Sequence, residues 1–293
     1  MIDNSLSRKI FQTFNYTFII FLAFICLFPL LNVLAVSFSS ANAVSAGEVK
    51  LWPKEFTLDS YKYIISNSAF GLAFMVSVKR LIIGASLQML ITILVAYPMS
   101  LNDNEFKGKA FYRWMLIVTM LFSGGLIPTY MLISKLHMVD TIWALVIPNA
   151  VPVFNIILLM NFFKGLPKEI SEAAFIDGAD HLKVLWDIIL PLSKPCLATI
   201  LLFCMVGHWN SWFDGLIYMN TADHYPLQSY LQTKIMTVDL SLITSEQVAS
   251  LKAVSNRTQK AAQIFVAVFP ILCVYPFLQK HFTKGLVMGS VKG

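Results

Sequence analysis

Leu81–Ser100 reads LIIGASLQMLITILVAYPMS, 20 residues without a charge, set between Lys79-Arg80 and Asn102-Asp103-Asn104-Glu105. A helix needs about 20 mostly apolar residues to cross the hydrocarbon core of a bilayer, so this stretch reads as a membrane span. The rest of the chain has the same character. Of its 293 residues 57% are hydrophobic and 13% charged, with a mean hydropathy of +0.68, which is too apolar for a soluble domain of this size. The length accommodates several spans with their connecting loops, and no large soluble domain besides.

With that stretch, six apolar segments emerge, bounded by charges and by Pro, Gly and Asn clusters: 14–36, 81–100, 111–133, 141–162, 196–218 and 261–278. The fold class is therefore an all-α integral membrane protein with six transmembrane helices in one domain. Between the first two spans lies a polar stretch, Ser37–Arg80, whose half-apolar part, Tyr61–Ser77, is expected to form an external helix against the bundle. Ser123-Gly124-Gly125 and Pro128 interrupt the third span, a kind of break tolerated in membranes where neighbours or water satisfy the freed backbone groups. The apolar run after Arg8-Lys9 is too long for the core of a secretory signal, so it reads as an uncleaved first span.

The net charge of +6 is scattered through short segments and forms no run or stripe, which argues for basic loops beside membrane spans and against a nucleic-acid partner. Cys26, Cys196, Cys204 and Cys273 all fall in apolar runs without metal-ligand spacing and read as small hydrophobes. No G-x-x-x-x-G-K-[ST] occurs, and no nucleophile, base or zinc constellation is present, so an enzymatic role lacks support and any ATP must be hydrolysed elsewhere. Six spans place both termini on one side of the membrane. The positive-inside count is nearly balanced and does not say which.

The densest charge lies in the loop 163–194, where Lys164 to Pro195 reads KGLPKEISEAAFIDGADHLKVLWDIILPLSKP. It parses as two short helices around Gly178. Pro167 suits a first helical position, Glu169 and Glu172 favour the positive end of the helix dipole, and Asp180 can cap the second helix, which Pro191 should stop. Ile170, Ala173, Ala174 and Asp177 share three- and four-residue spacings, so the alanines offer a flat surface flanked by charge. The residues alone leave two readings open, a solvated surface connector or a docking surface for a partner.

Glu172-Ala173-Ala174, then Gly178, Ile188 and Leu190-Pro191 at their spacings resemble the EAA signature of ABC-importer permeases. The likeness runs along nearly the whole chain toward the carbohydrate, maltose-permease-like branch. It includes Asp140-Thr141-Ile142-Trp143-Ala144, the Phe162–Pro167 run, Trp209-Asn210 with Trp212, and the tail Gln279–Gly285 ending Val291-Lys292-Gly293. Phe122–Tyr130 is similar to the subgroup handling plant- or algal-type oligosaccharides, some containing uronates; the Gly-Gly break and Lys79-Arg80 are not general features of the wider family.

The resemblance implies a type I ABC-importer fold in a bacterial cell membrane, with both termini cytoplasmic. Glu172, Ala173, Ala174, Asp177, Gly178, Ile188, Leu190 and Pro191 would form a coupling helix and its support, docking into an ATPase subunit. The implied partners are a second homologous permease, two ATP-binding-cassette subunits that hold the ATP and magnesium, and an extracytoplasmic solute-binding protein. The cargo would be an oligosaccharide. A non-sugar solute moved by the same loop, or a standalone secondary carrier, are the alternatives.

Polar residues inside spans are costly and mark candidate substrate paths. The cluster His208, Trp209, Asn210, Trp212 and Asp214 suits a sugar, since indole faces stack on rings while Asn and Asp bond hydroxyls. An interfacial aromatic belt with helix–helix hydrogen bonds explains the same residues. Asn149 is a weaker candidate. Lys79 and Arg80 read either as an attractor for an acidic sugar or as snorkelling anchors.

Overall fold

The computed structural model describes residues 6–236, 257–274 and 276, and every regular element among them is helical. Two compact units divide the chain, Met1–Ser68 with Lys234–Phe269, and Ala69–Thr233 with Pro270–Gly293.

In the first unit, α1 (Leu6–Ser37) is apolar on all sides and almost fully exposed, as suits a helix whose covering is lipid or another chain. A small polar and aromatic cap follows. The Ser40 hydroxyl accepts the Ala43 N–H at 3.2 Å and so starts α2 (Ala41–Ser45). Phe38 stacks on Phe56 and on Tyr61, the first residue pair lying beside a short antiparallel bridge of Ser39 with Phe56. Tyr61, on α3 (Asp59–Ser66), also shares a 2.8 Å hydrogen bond with Ser37.

In the second unit α4 (Ser68–Ser100) is one helix of 33 residues, about 50 Å long at 1.5 Å per residue. This corrects the expectation of a separate external helix over Tyr61–Ser77. α3 stops at Ser66, and Ser68–Ser77 belong to the same helix as Leu81–Ser100. Lys79-Arg80 reads as a border only if both charges reach water. Lys79 does, but Arg80 is 1% exposed and ion-paired, so nothing obliges the helix to end there.

The remaining spans are broken. α5 (Lys109–Leu121) and α6 (Leu126–Lys135) meet at 113° across the expected Ser123–Gly125 break, with Gly125 at φ +83°. A second break was not anticipated. The fourth span splits into Ile142–Asn149, comprising α7 (Ile142–Val146) and a 3-10 turn, and α8 (Val153–Lys164), bent by 47°. Pro148 and Pro152 account for it, because each removes an N–H from the helical ladder.

The third bend, 85°, separates His181–Leu192 from α12 (Lys194–Asn210). Within the first of these, α10 (His181–Lys183) passes through a π-wound turn, Val184–Ile189, into α11 (Leu190–Leu192). Pro191 thus lies inside the helical run and does not stop it, contrary to the sequence reading. The wider π winding just before it accommodates a residue that cannot donate, and the run ends at Ser193. α13 (Phe213–Tyr218) and α14 (Leu227–Met236) follow.

Among the described residues only α1 and α4 are unbroken helices long and apolar enough to cross a bilayer, and counting each bent pair as one span raises the number to five. The last described helix, α15 (257–274), overlaps the start of the expected sixth span. The end of that span, the polar stretch 237–256 and the tail from Gln279 lie outside the described residues. The core of the second unit joins α4, α8 and α12 through fully buried Ala96, Ile156, Leu159 and Ile200, and Cys196 and Cys204 pack within it as small hydrophobes.

A polar clasp closes the other end. Asp140, in the left-handed region at φ +61°, takes the Thr221 hydroxyl at 2.6 Å and the Thr221 and Asn220 N–H groups at 3.1 and 3.0 Å. His224 Nδ1 adds a 3.1 Å contact. The Thr221 hydroxyl first, then these amides and His224, hold the carboxyl well below the usual carboxylate range despite partial desolvation. A depressed carboxylate contributes its full stability above the ordinary pKa near 4 and loses it as pH falls through the native value. Asp140→Asn is therefore expected to lower the thermal unfolding midpoint at pH 7, and the gap to wild type should narrow at pH 3, as followed by differential scanning fluorimetry in detergent.

Candidate functional site

The charged loop folds as the capping residues dictate. α9 (Lys168–Ile176) begins after Pro167, one residue later than expected, and ends in a Schellman motif. Gly178 sits at φ +84°, its N–H reaches the Phe175 carbonyl at 3.1 Å, and the Ala179 N–H reaches Ala174 at 2.9 Å. Asp180 then caps α10, its carboxylate accepting the Lys183 N–H at 2.8 Å.

The two alanines do not share a face. Ala173 is exposed with Glu172 and Asp177, whereas Ala174 is half-buried and packs on the core cluster. Ile188 is half-buried, Leu190 is buried, and Pro191 is exposed. The outer face of α9 has an apolar member that the sequence reading missed, Ile176, which is 86% exposed just before the motif.

This protruding helix is fastened to the end of α4. Tyr97 shares a 3.0 Å hydrogen bond with His181 Nδ1, the His181 ring meets Phe175 edge-on at 4.9 Å, and Lys168 Nζ donates to Asn102 Oδ1 at 3.1 Å. Between the 101–109 connector and α9 opens a cleft of about 470 Å³, with Asn102, Glu105, Lys109, Lys164 and Glu172 among its walls. The sequence offered Asn102-Asp103-Asn104-Glu105 only as the border of a span. The structure makes that border one wall of the cleft.

The candidate path residues fall around α4, along which Ser77, Arg80, Gly84, Gln88 and Thr92 occupy one buried face at three- and four-residue intervals. Each of three polar members bonds a backbone group that a helix end or break has set free. Ser77 Oγ accepts the Leu227 N–H at the start of α14 at 2.7 Å, and Gln88 Nε2 donates to the Asn149 carbonyl at 2.6 Å. Arg80 reaches the Ser211 carbonyl at 3.2 Å and the Leu145 carbonyl at 3.5 Å. Its guanidinium also forms a two-pronged ion pair with Asp214, one arm at 3.1 Å. Asp214 further accepts the Ser211 hydroxyl at 2.8 Å and the Gly215 N–H at 2.9 Å.

Asp214 is therefore occupied within the chain, and Arg80 is an interior clamp in place of a snorkelling anchor. Trp209 is 3% exposed with its ring edge-on to Phe74, and His208 is buried against Gly84. Asn210, Trp212 and Asn149 remain exposed. The signal that could have paired Arg80 with Asp214 was their being opposite charges, one at the edge of an apolar segment and one within another.

Residues 4–287 match the family model described as binding-protein-dependent transport system inner membrane component. The chain is 39% identical to Protein LplC of Bacillus subtilis, over 99% of this chain and 97% of that protein. It is 37% identical to the polygalacturonan/rhamnogalacturonan transport system permease protein YtcP of the same organism, over 98% and 100%. A solved chain from a bacterial ABC transporter involved in the import of the acidic polysaccharide alginate superposes with a TM-score of 0.85 at 28% identity, covering 96% of this chain and 100% of that one.

Removing one partner of a buried ion pair leaves an uncompensated charge and costs about 3–5 kcal/mol, whereas replacing both with apolar residues of similar volume is often nearly neutral. Arg80→Met and Asp214→Leu singly should therefore lower the fraction of monodisperse protein surviving heating in detergent, read by fluorescence size-exclusion chromatography. The Arg80→Met/Asp214→Leu double variant should lose less than the sum of the two single losses, because it leaves no unpaired charge, yet stay below wild type, because the Ser211 and Leu145 carbonyls lose their donor.

Proposed function

Because the chain belongs to the family of binding-protein-dependent transport system inner membrane components, we propose that its α9 is the helix through which separate ATPase subunits drive an oligosaccharide importer. The chain is the permease component of an ABC importer and is not itself the ATPase. In this reading it crosses the membrane six times with both termini in the cytoplasm, pairs with a second homologous permease, and is served by two ATPase subunits and an extracytoplasmic solute-binding protein. ATP and magnesium reside on the ATPase subunits.

One observation carries the coupling role. α9 presents Glu172, Ala173 and Ile176 outward, while Lys168 at its start bonds Asn102 just past the end of α4, and His181 just past its own end bonds Tyr97 on α4. A protruding helix on such a rigid mount transmits a push and does not absorb it. Glu172 is suited to meet a basic group on the ATPase, and the Schellman turn at Gly178 holds the helix at its angle.

The relatives support a carbohydrate cargo, and an acidic one in particular, since one is named for polygalacturonan and rhamnogalacturonan transport and the solved transporter takes up alginate. Asn210, Trp212 and Asn149, the exposed polar and aromatic members of the path cluster, are the side chains free to meet it. Trp209 and Asp214 act behind them, as the buried wall.

Uptake of labelled oligogalacturonate, alginate oligosaccharide and maltodextrin by the complete importer with its binding protein tests the cargo, and stimulation of ATPase activity by a non-sugar solute alone would overturn the carbohydrate reading. For coupling, Glu172→Ala removes a charge-assisted contact and should reduce uptake on the order of tenfold. Gly178→Val should do the same by straining the left-handed turn, while Gly178→Asn, which tolerates it, should retain most uptake. Unchanged uptake in both Glu172→Ala and Gly178→Val, at equal membrane levels, would refute the role of α9.

A further inference from the structure

Three cations converge where α5 begins and α8 ends. α5 opens at Lys109 and α8 closes at Lys164, and the two helices pack through Leu116 and Phe163 in the same buried cluster, so their charged ends are neighbours. Lys109 is internally satisfied: it is 5% exposed, lies 3.2 Å from Asp103 and donates to the Leu101 carbonyl. Glu105, the other acid of the connector, is held by Asn102 through its N–H at 3.0 Å and its Nδ2 at 3.1 Å. Glu172 stands across the cleft on α9. Arg113 and Lys164 are exposed and have no hydrogen bond or ion pair with any described residue.

The positive charge is left over. Lys109 and Arg113 repel the Lys164 ammonium, and Asp103 only partly opposes them. Two unneutralised cations side by side repel, and the arrangement gains from an anion placed between them. The surroundings say what kind. Arg113 is four residues from Lys109 and three from Leu116, at the edge of the face that α5 buries. Turning outward from it, Trp114, Phe111 and Met115 are 66%, 70% and 47% exposed. A guanidinium and an ammonium bordered by exposed aromatic and aliphatic side chains, at a helix end beside a charged connector, is the chemistry of a membrane–water interface.

We propose that Arg113 and Lys164 bind the phosphodiester headgroup of an anionic phospholipid, in the leaflet on the side of the 163–194 loop, with Trp114 against its glycerol and upper acyl carbons. The guanidinium fork suits two phosphate oxygens and the ammonium a third contact. A soluble anion would satisfy the charges but would gain nothing from the aromatic and aliphatic rim. The inference rests on the chain being embedded in a membrane and not on the coupling role of α9. Lys164 stands four residues before α9 begins, so an occupied site would sit at the foot of that helix.

The test is native mass spectrometry of the complete importer, isolated through a tag on this chain and then exchanged into mixtures of phosphatidylglycerol and phosphatidylcholine. Wild type should retain phosphatidylglycerol in preference to phosphatidylcholine through stepwise delipidation. Arg113→Gln and Lys164→Gln should each weaken that retention by about fivefold, and the pair by about thirtyfold, while Arg113→Lys keeps much of it. Lys135→Gln, at the far end of α6, serves as the control and should change nothing. Equal retention by wild type and the double variant would overturn the proposal. So would displacement of the lipid by millimolar inorganic phosphate at constant ionic strength, which would assign the cations to a free anion. Cross-linking of Lys164 to an acidic residue of another subunit in the lipid-loaded complex would overturn it as well, by assigning them to a protein partner.

Discussion

A backbone carbonyl or N–H released inside a bilayer has no water to turn to, and this constraint organises the second unit. Three of its spans are broken, by Ser123–Gly125, by Pro148 and Pro152, and at the bend after Leu192, and a further helix starts at Leu227. α4 supplies much of the remedy. Its Ser77, Arg80 and Gln88 reach the Leu227 N–H and the Ser211, Leu145 and Asn149 carbonyls, so a single unbroken helix satisfies the ends of several broken ones. Bare carbonyls at these places would cost several kcal/mol each in an apolar medium. The polar face of α4 thus supports the break at Pro148 and Pro152, the end of α12 and the start of α14.

The same logic explains how a full charge is tolerated at Arg80. A guanidinium with 1% exposure needs an anion and acceptors in its own plane, and Asp214 with two carbonyls provides them. Asp214 in turn sits in the first turn of α13, where the helix dipole favours a carboxylate and where the Gly215 N–H awaits an acceptor. One ion pair therefore fixes the register of α4, the Ser211 turn and α13 together. Trp209 and His208 complete the packing around it.

The opposite end of α4 is tied to the charged loop, so rigidity in the interior and leverage at the surface share one element. Tyr97 and Asn102 hold α9 and His181, and the π-wound turn with Pro191 leads from them into α12, which carries Trp209 and Asn210 at its far end. α9 is therefore linked to the residues around Arg80 by two routes, one along unbroken α4 and one through the bent run of α10, α11 and α12. That connection is a physical property of the fold.

Much of this was legible in the amino-acid order. Uncharged runs of span length declared a membrane protein, and Gly178, Asp180 and Pro167 laid out the loop, because helix caps are local interactions between residues a few positions apart. The spaced Glu172-Ala173-Ala174 signature marked the loop as a candidate docking site. What the sequence could not decide was long-range. Arg80 and Asp214 are 134 positions apart, and only folding shows that a charge read as a border lies inside one continuous helix. Hydropathy counts residues along the chain, whereas burial and pairing depend on neighbours brought in by the tertiary structure. The inward turn of Ala174, the passage of the helix through Pro191, and the occupied state of Asp214 all follow from those neighbours.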